Sequence, residues 1–296
     1  MSKRLIAHIS ILFANVIYGV NYTIAKEIMP DYIKPAGLVF CRVLGAIILF
    51  WGFSLFTKSS KIERKDFFRL IIAAIFGVAL NQLLFLYGLN YTTPIDASII
   101  MTVNPILVLI IASILIKEVI TLRKISGIII GGIGAIILIF YSGEVSLSSN
   151  HFIGNLMIFT NALSYGIYLV VVKPLMLKYE AVTVMKWVFL FGFFIIAPVG
   201  FEDFSEINWK QFPLNISLSV LYVIIGTTFL AYLLNVYGLK FLNASTVSIY
   251  IYSQPIIASL VAIIFGKDSL TAIKIISTIL VFVGVYLVSK PKEKRF

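Results

Sequence analysis

Long apolar runs, separated by short polar connections, make up most of the chain. Ten runs end at clusters of charge, proline or glycine, and each is about as long as the roughly 20-residue helix that crosses a bilayer. The runs fall near 5–28, 35–56, 67–89, 95–116, 120–141, 152–172, 182–201, 214–239, 244–265 and 270–289. They are too long for buried strands, and none alternates apolar and polar residues. The pattern therefore predicts an all-α polytopic membrane protein with ten transmembrane helices.

Composition indicates that lipid is the solvent for most of this surface. Of 296 residues, 60% are hydrophobic and 12% are charged, which is about half the charged share of a soluble domain. No segment is long and polar enough to form a separate soluble domain. The basic start, followed by an apolar run to about Ile28 without a cleavage pattern, predicts a first span that stays attached.

The net charge of +11 is best explained as a topology signal, although nucleic-acid binding is the other common cause of a basic chain. With a cytoplasmic N-terminus, the inside segments carry eighteen basic residues, and the outside segments carry five. The inside residues are Lys3, Arg4, Lys58, Lys61, Arg64, Lys65, Arg69, Lys117, Arg123, Lys124, Lys173, Lys178, Lys186, Lys240, Lys290, Lys292, Lys294 and Arg295. The outside residues are Lys26, Lys34, Lys210, Lys267 and Lys274. Since cytoplasmic connections carry the basic excess, we expect both termini in the cytoplasm of a multi-pass protein of the bacterial inner (plasma) membrane, with no nucleic-acid partner.

The second half of the sequence repeats the first. A shift of 150 residues places Tyr87-Gly88-Leu89 on Tyr237-Gly238-Leu239, and a shift of 147 places Tyr18-Gly19 on Tyr165-Gly166. The first register also pairs Ser98 with Ser248, Asn104-Pro105 with Gln254-Pro255, Lys117-Glu118 with Lys267-Asp268, Thr121 with Thr271, Lys124 with Lys274 and Gly134 with Gly284. This colinear series predicts two repeats of five helices, residues 1–148 and 149–296.

The odd number of spans in each repeat has a consequence for topology. The second repeat must enter the membrane from the opposite side, so the two repeats are inverted. Many secondary transporters are built in this way, and their substrate sites lie at the repeat interface near the midplane.

Polar side chains inside the first and sixth spans are the strongest site candidates. Asn15, Tyr18 and Tyr22 share one helical face, and Asn161, Tyr165 and Tyr168 share the corresponding face. Polar groups in lipid are costly unless they meet a cavity or a partner, so these faces predict two walls of one cavity. Interhelical hydrogen bonding by the same groups is the alternative explanation.

Two prolines and a few further polar groups extend this candidate site. Asn104-Pro105 and Gln254-Pro255 lie near the middle of the fourth and ninth spans, where proline frees a carbonyl four residues earlier and kinks the helix. The complete predicted substrate-binding set is Asn15, Tyr18, Tyr22, Arg42, Asn81, Asn104, Asn161, Tyr165, Tyr168, Asn235, Tyr250 and Gln254.

Arg42 is the strong cation that lies well inside a span. Inserting it costs about 2.5–3.5 kcal/mol on translocon scales, so we expect it to meet water, a carbonyl or an anionic group. Snorkelling towards the outer boundary is the alternative.

The predicted spans contain few side chains that could carry out catalysis. Cys41 is the only cysteine, which excludes an intrachain disulfide and a thiolate metal cluster. The spans contain neither a nucleophile–base pair nor a carboxylate and histidine metal site, so we predict no enzyme, no catalytic or metal residue and no cofactor. No Asp or Glu lies mid-span, so the sequence gives no support for ion coupling. Facilitated diffusion, exchange and proton coupling through another group remain open alternatives.

Together these features resemble the EamA-type permeases of the drug/metabolite transporter superfamily. The resemblance rests on Tyr18-Gly19, Arg42, the series from Pro105 through Lys117-Glu118 and Thr121 to Gly127, and its second copy from Pro255 to Gly284. It implies a ten-helix fold with peripheral fifth and tenth helices around a central cavity. The family's usual Gly-Glu pair after the fourth span here reads Lys117-Glu118, and its partner reads Lys267-Asp268, so a gating mechanism does not transfer to those positions.

The sequence and this resemblance together predict a secondary transporter in the lipid bilayer. The expected substrates are small metabolites such as amino acids or nucleobase-like compounds, and the family implies export by alternating access. An exchanger of organic anions or phosphorylated sugars is the alternative, and the protein is expected to be a monomer or a homodimer.

Overall fold

A computed structural model describes residues 2–57, 60–116, 122–141 and 150–289, and the described residues are helical without any β-strand. The helices, in chain order, are α1 (Lys3–Ile28), α2 (Pro35–Ser54), α3 (Arg64–Tyr91), α4 (Pro94–Ile114), α5 (Leu122–Tyr141), α6 (Asn150–Lys178), α7 (Ala181–Ser205), α8 (Leu214–Phe241), α9 (Thr246–Ile264) and α10 (Ala272–Ser289). Within the described ranges, eight are long and apolar enough to cross a membrane, whereas α5 and α10 contain the shorter apolar helices Ile125–Gly134 and Ala272–Gly284. The all-helical prediction is confirmed. Lys117, Glu118 and Thr121, which carry part of the family resemblance, lie outside the described residues.

The outer surface of this bundle is apolar. Large hydrophobic side chains such as Phe13, Ile48 and Phe194 are more than half exposed. A soluble monomer rarely exposes a continuous apolar belt of this kind. Lipid is the solvent that this surface fits.

Small residues bring α5 and α10 together. A Cβ atom on Gly284 would collide with the backbone of Gly127 and Gly131, so the two helices touch backbone to backbone, as small residues permit in membrane proteins. Most of the contacts of α5 and α10 are with each other.

Within the ranges that the structure describes, four helices depart from regular α geometry near their middles. Helix α4 is interrupted at Thr102 and Val103, and helix α9 passes through a 3-10 turn at Tyr250–Tyr252. These breaks fall just before Pro105 and Pro255, where the sequence predicts kinks. Helices α3 and α8 contain π-helical stretches at Ile75–Ala79 and Tyr222–Leu230, which the sequence analysis did not predict.

Two lysines mark opposite ends of the bundle. Lys26 Nζ donates to the carbonyls of Leu89, Asn90 and Thr92 at 2.9, 2.7 and 3.1 Å, where α3 ends. Its counterpart Lys173 donates to the carbonyls of Leu239 and Leu242, where α8 ends.

The positions of these lysines along α1 define the two ends. A Cβ on Gly238, near the Lys173 contact, would collide with Ile11 in the early part of α1, whereas Lys26 lies in the last turn of that 26-residue helix. At 1.5 Å per residue α1 is about 39 Å long. We call the two ends of the bundle the Lys26 end and the Lys173 end.

Candidate functional site

A cavity of about 60 Å³ lies in the middle of the bundle, and residues from both halves of the chain line it. Seven of the lining residues belong to the predicted set: Tyr18, Tyr22, Arg42, Asn81, Asn161, Tyr165 and Gln254. Six others complete the lining: Asn21, Gln82, Phe85, Met101, Tyr232 and Ile251. Both kinked helices reach this cavity, because Met101 and Ile251 lie at their breaks.

Arg42 places a cation in the cavity wall. Its side chain is buried, with 4% of the residue exposed, and its Nε donates to Thr228 Oγ1 at 2.9 Å. Thr228 belongs to the π-helical stretch of α8, so the second half of the chain orients a guanidinium from the first half. Nη1 has no hydrogen-bond partner among the described residues, and Arg42 is the charged member of the cavity lining. The structure therefore keeps the guanidinium inside rather than extending it to the surface.

A chain of side-chain hydrogen bonds fixes one wall. Tyr22 Oη donates to Gln254 Oε1 at 2.8 Å, and Gln254 Nε2 donates to Asn15 Oδ1 at 2.6 Å. The Asn15 Nδ2 in turn donates to the Ile11 carbonyl at 2.8 Å. Tyr22 and Gln254 line the cavity, and Asn15 anchors them from behind.

The π-helical stretch of α3 organises the opposite wall, because it directs carbonyl groups towards neighbouring helices. Ser164 Oγ donates to the Phe76 carbonyl at 2.7 Å, and Tyr232 Oη donates to the Gly77 carbonyl at 2.8 Å. Asn161 Nδ2 donates to the Asn81 carbonyl at 2.6 Å. These bonds hold α6 and α8 against α3.

Several amide oxygens of the lining remain without a protein partner. Asn21 Oδ1, Gln82 Oε1 and Asn161 Oδ1 are buried and accept no hydrogen bond from the part of the chain that the structure describes. The bond from Asn161 Nδ2 to α3 fixes the orientation of that amide, so its oxygen is the available acceptor. Buried polar groups almost always have partners, and the residues that carry these acceptors line the same cavity as Arg42, whose Nη1 donor is also unpartnered. The arrangement fits a ligand that both donates and accepts.

Aromatic rings form the rest of the cavity surface. The Tyr18 and Tyr232 rings meet edge to face with centroids 6.4 Å apart, and Tyr22 meets Phe85 at 5.3 Å. Such rings offer an apolar face together with a polar hydroxyl.

Five predicted residues lie outside the lining. Asn104 Nδ2 donates to the Ala162 carbonyl at 2.6 Å and ties α4 to α6. Tyr168 packs behind the cavity, where a Cβ on Gly77 would collide with its ring. Asn235 Nδ2 donates to the Ala231 carbonyl one turn earlier at 3.0 Å.

The other two serve as supports at different depths. Asn15 is the anchor of the Tyr22–Gln254 chain. Tyr250 lies near the Lys173 end, where its hydroxyl is 2.8 Å from His8 Nδ1. Helical faces group residues by direction and not by depth, which explains why the sequence pattern included these supports.

Tyr232 is the most informative residue that the sequence analysis missed. It follows Gln82 by 150 residues, so the repeat register places the two at equivalent positions after the π-helical stretches. That register was the signal that could have identified it.

Ionic contacts occur at both ends of the bundle. At the Lys173 end, Lys178 Nζ lies 2.9 Å from Asp66 Oδ2, and the Tyr179 hydroxyl donates to the same oxygen at 2.7 Å. At the Lys26 end, Asp96 is fully buried in the first turn of α4 and pairs with Lys274. Asp96 lies in the first turn of α4 and so is consistent with the absence of mid-span acids in the sequence analysis. Its burial and its contact with Lys274 were not predicted.

Comparison with known proteins adds a family relationship. The model of the EamA-like transporter family matches residues 5–140 and again residues 152–290. The uncharacterized transporter YyaM of Bacillus subtilis is 24% identical to this chain over 97% of the chain and 94% of that protein. The uncharacterized inner membrane transporter YicL of Salmonella typhimurium is 23% identical over 97% and 96%. A solved structure described only as the crystal structure of a protein shares the fold, with a TM-score of 0.65, 15% identity and 98% coverage of both chains.

Proposed function

We propose, from the premise that this chain belongs to the EamA-like transporter family, that it exports a small metabolite by alternating access. The family and its named relatives make the protein a multi-pass membrane transporter of small molecules and not an enzyme. Our proposal adds the architecture, the mechanism and the substrate class.

The proposed architecture is ten transmembrane helices in two inverted repeats, residues 1–148 and 149–296. Two separate matches to one family model support this division. The paired lysine contacts also support it, because Leu89 and Thr92 precede Leu239 and Leu242 by 150 residues. The π-helical stretches and the broken helices recur in the same register. The distribution of Lys and Arg further supports a cytoplasmic Lys173 end with both termini inside.

One observation carries the mechanism: both halves of the chain line one central cavity. In inverted-repeat transporters the substrate site lies at such an interface, and rocking of one repeat against the other exposes it to each side in turn. The cavity of about 60 Å³ is small beside pockets of roughly 300–1,000 Å³ that hold drug-sized ligands. We therefore assign the structure to a closed state that expands when one end opens. The cavity is complete within one chain, so one copy suffices for transport, whether the protein is a monomer or a homodimer.

Within the expected substrates, the cavity favours a zwitterionic amino acid over a nucleobase. The Arg42 Nη1 is suited to a carboxylate, because a buried cation requires an anionic or strongly polar partner. The unpartnered oxygens of Asn21, Gln82 and Asn161 are suited to an ammonium group. The aromatic rings fit an apolar or aromatic side chain.

A phosphorylated sugar is a poorer match. The single guanidinium would leave part of a phosphate dianion uncompensated in a low-dielectric site. Lys186, the other cation that we considered for such a substrate, lies over the Trp51 ring at 5.0 Å and outside the cavity lining.

Transport in proteoliposomes tests the proposal. Purified protein is expected to exchange labelled phenylalanine faster than phenylalaninamide or adenine. Arg42→Gln should abolish this preference for the carboxylate, whereas the matched variant Arg69→Gln, at an exposed arginine, should retain it. Absence of flux for amino acids, nucleobases and nucleosides with folded protein would contradict the proposed function.

A further inference from the structure

The Lys26 end contains a buried ionic cluster that the transport cavity does not use. It consists of Asp96 in the first turn of α4, Asp268 just before α10, Lys274 in α10 and His151 near the start of α6. Lys274 Nζ lies 2.7 Å from Asp268 Oδ1 and 3.4 Å from Asp96 Oδ1. The three charged side chains are at most 6% exposed. Met101 lines the cavity five residues after Asp96, so the cluster lies about 7.5 Å closer to the Lys26 end along α4.

The charges of this cluster do not balance without His151. Two buried carboxylates share one ammonium group, which leaves one negative charge in a low-dielectric site. Among the other described ions at this end, Lys267 pairs with Glu27 at 3.4 Å, and Lys26 donates to backbone carbonyls. Buried charges are retained when a partner neutralises them. A proton on His151 would supply the missing positive charge.

The His151 ring is positioned to hold that proton. Its Nε2 lies 3.2 Å from Asp96 Oδ2, and its Nδ1 lies 3.3 Å from Asn155 Nδ2. Asn155 Oδ1 accepts a hydrogen bond from the Thr92 hydroxyl. With the Asn155 amide in this orientation the neutral ring accepts at Nδ1 and carries its proton on Nε2, which lies close to the Asp96 carboxylate and 3.5 Å from the Thr92 hydroxyl.

Protonation at Nδ1 requires only a local rearrangement. If the Asn155 amide turns over, its oxygen accepts the new N–H and its nitrogen donates to the Thr92 hydroxyl. The side chain of His151 is 22% exposed, so the ring is accessible from outside the protein. Histidine is the side chain that ordinarily changes charge between about pH 5 and 8.

We propose that His151 and Asp96 form a proton-binding site that holds the Lys26 end closed. The site links α4 in the first half of the chain to α6 and α10 in the second half. A bound proton converts the His151–Asp96 contact into an ion pair, which stabilises closure. Loss of the proton leaves the cluster with a net negative charge, which favours separation of the halves. Because the bound proton stabilises the closed arrangement, closure is favoured at low pH and lost as the pH rises.

The Lys173 end provides an internal contrast. There Asp66 and Lys178 balance one to one, and His8 contacts a tyrosine hydroxyl instead of a carboxylate. We therefore expect proton control at the Lys26 end alone. This inference rests on the proposed alternating access, and its test needs a readout independent of flux.

Cysteine labelling provides that readout. In a Cys41→Ala background, Met101→Cys places a thiol in the cavity wall, and an impermeant maleimide reaches it only when one end opens. Right-side-out and inside-out vesicles are both prepared, and one of the two preparations presents the Lys26 end to the added maleimide. Labelling from that side should rise several-fold between about pH 5 and pH 8, beyond the rise at Gln211→Cys, an exposed position at the same end.

Charge variants assign the response to the site. With every labelling rate expressed relative to that of Gln211→Cys at the same pH, His151→Gln mimics the neutral ring and should give fast labelling that does not change with pH, whereas His151→Lys fixes the positive charge and should give slow labelling at every pH. Asp96→Asn should also remove the pH dependence, and His8→Gln should retain it. A pH response that persists in His151→Gln, or labelling of the parent cysteine variant that is flat with pH, overturns the proposal. Amino-acid flux with flat labelling would refute the proton site alone, and a pH-dependent label without flux would refute the transport function alone.

Discussion

Arg42 Nε and Thr228 Oγ1 lie 2.9 Å apart and join the two halves of the chain at the cavity. The hydroxyl accepts from Nε and so orients the guanidinium, whose Nη1 has no hydrogen-bond partner among the described residues. A hydrogen bond to a charged group contributes about 1.5–3 kcal/mol. The position of this cavity cation thus depends on a neutral residue 186 positions away.

Removal of that hydroxyl should weaken substrate binding. Thr228→Val keeps the shape of the side chain but leaves Nε without its acceptor, so we expect the apparent KM for a carboxylate substrate to rise roughly tenfold or more. Initial rates in proteoliposomes measure this change. Thr228→Ser retains the hydroxyl and should stay near the parent value. An equal loss in both variants would show that packing, and not the hydrogen bond, is responsible.

Close packing of α3 against α6 should make Gly77 intolerant of a side chain. A Cβ at this position would collide with the buried Tyr168 ring, whereas a Cβ at Gly52 meets no atom within 4 Å. Overpacking of a core costs about 1–3 kcal/mol. Gly77→Ala should therefore lower the thermal unfolding temperature in detergent, and Gly52→Ala should not. Equal stability of the two variants would contradict the packing described here.

Apolar runs and prolines were sufficient to predict most of the architecture. Runs of about 20 apolar residues can span lipid only as helices, and Pro105 and Pro255 mark where α4 and α9 are interrupted. The polar faces of the first and sixth spans predicted that Tyr18, Tyr22, Asn161 and Tyr165 line a cavity, because polar groups in apolar helices need a partner. All four line the cavity in the structure.

Other features depend on tertiary contacts and were not predictable in this way. The π-helical stretch at Ile75–Ala79 contains no proline or charged residue, and its carbonyls acquire partners only when Ser164 and Tyr232 pack against it. Asp96 has the sequence context of a helix start. Its burial results from Lys274, which lies 178 residues later and approaches only in the folded bundle.

Loss of the Tyr22 hydroxyl should destabilise the cavity wall. In Tyr22→Phe the buried Gln254 Oε1 loses its donor at 2.8 Å, and an unsatisfied buried acceptor costs about 1–3 kcal/mol. We expect a lower thermal unfolding temperature that bound substrate partly restores. Tyr286→Phe, at a largely exposed tyrosine, is the matched control. A Tyr22→Phe protein as stable as this control would show that water replaces the hydroxyl.

The inverted arrangement predicts opposite locations for two exposed positions. Ser60 precedes α3 at the Lys173 end, and Phe265 follows α9 at the Lys26 end; both are exposed. In a Cys41→Ala background, an impermeant maleimide applied to intact cells should label Phe265→Cys, whereas Ser60→Cys should react only after permeabilisation. The expectation follows from five spans per repeat, since an odd number reverses the entry side of the second repeat. Labelling of both positions from one side would refute the inverted repeats, and the alternating-access mechanism would lose its structural basis.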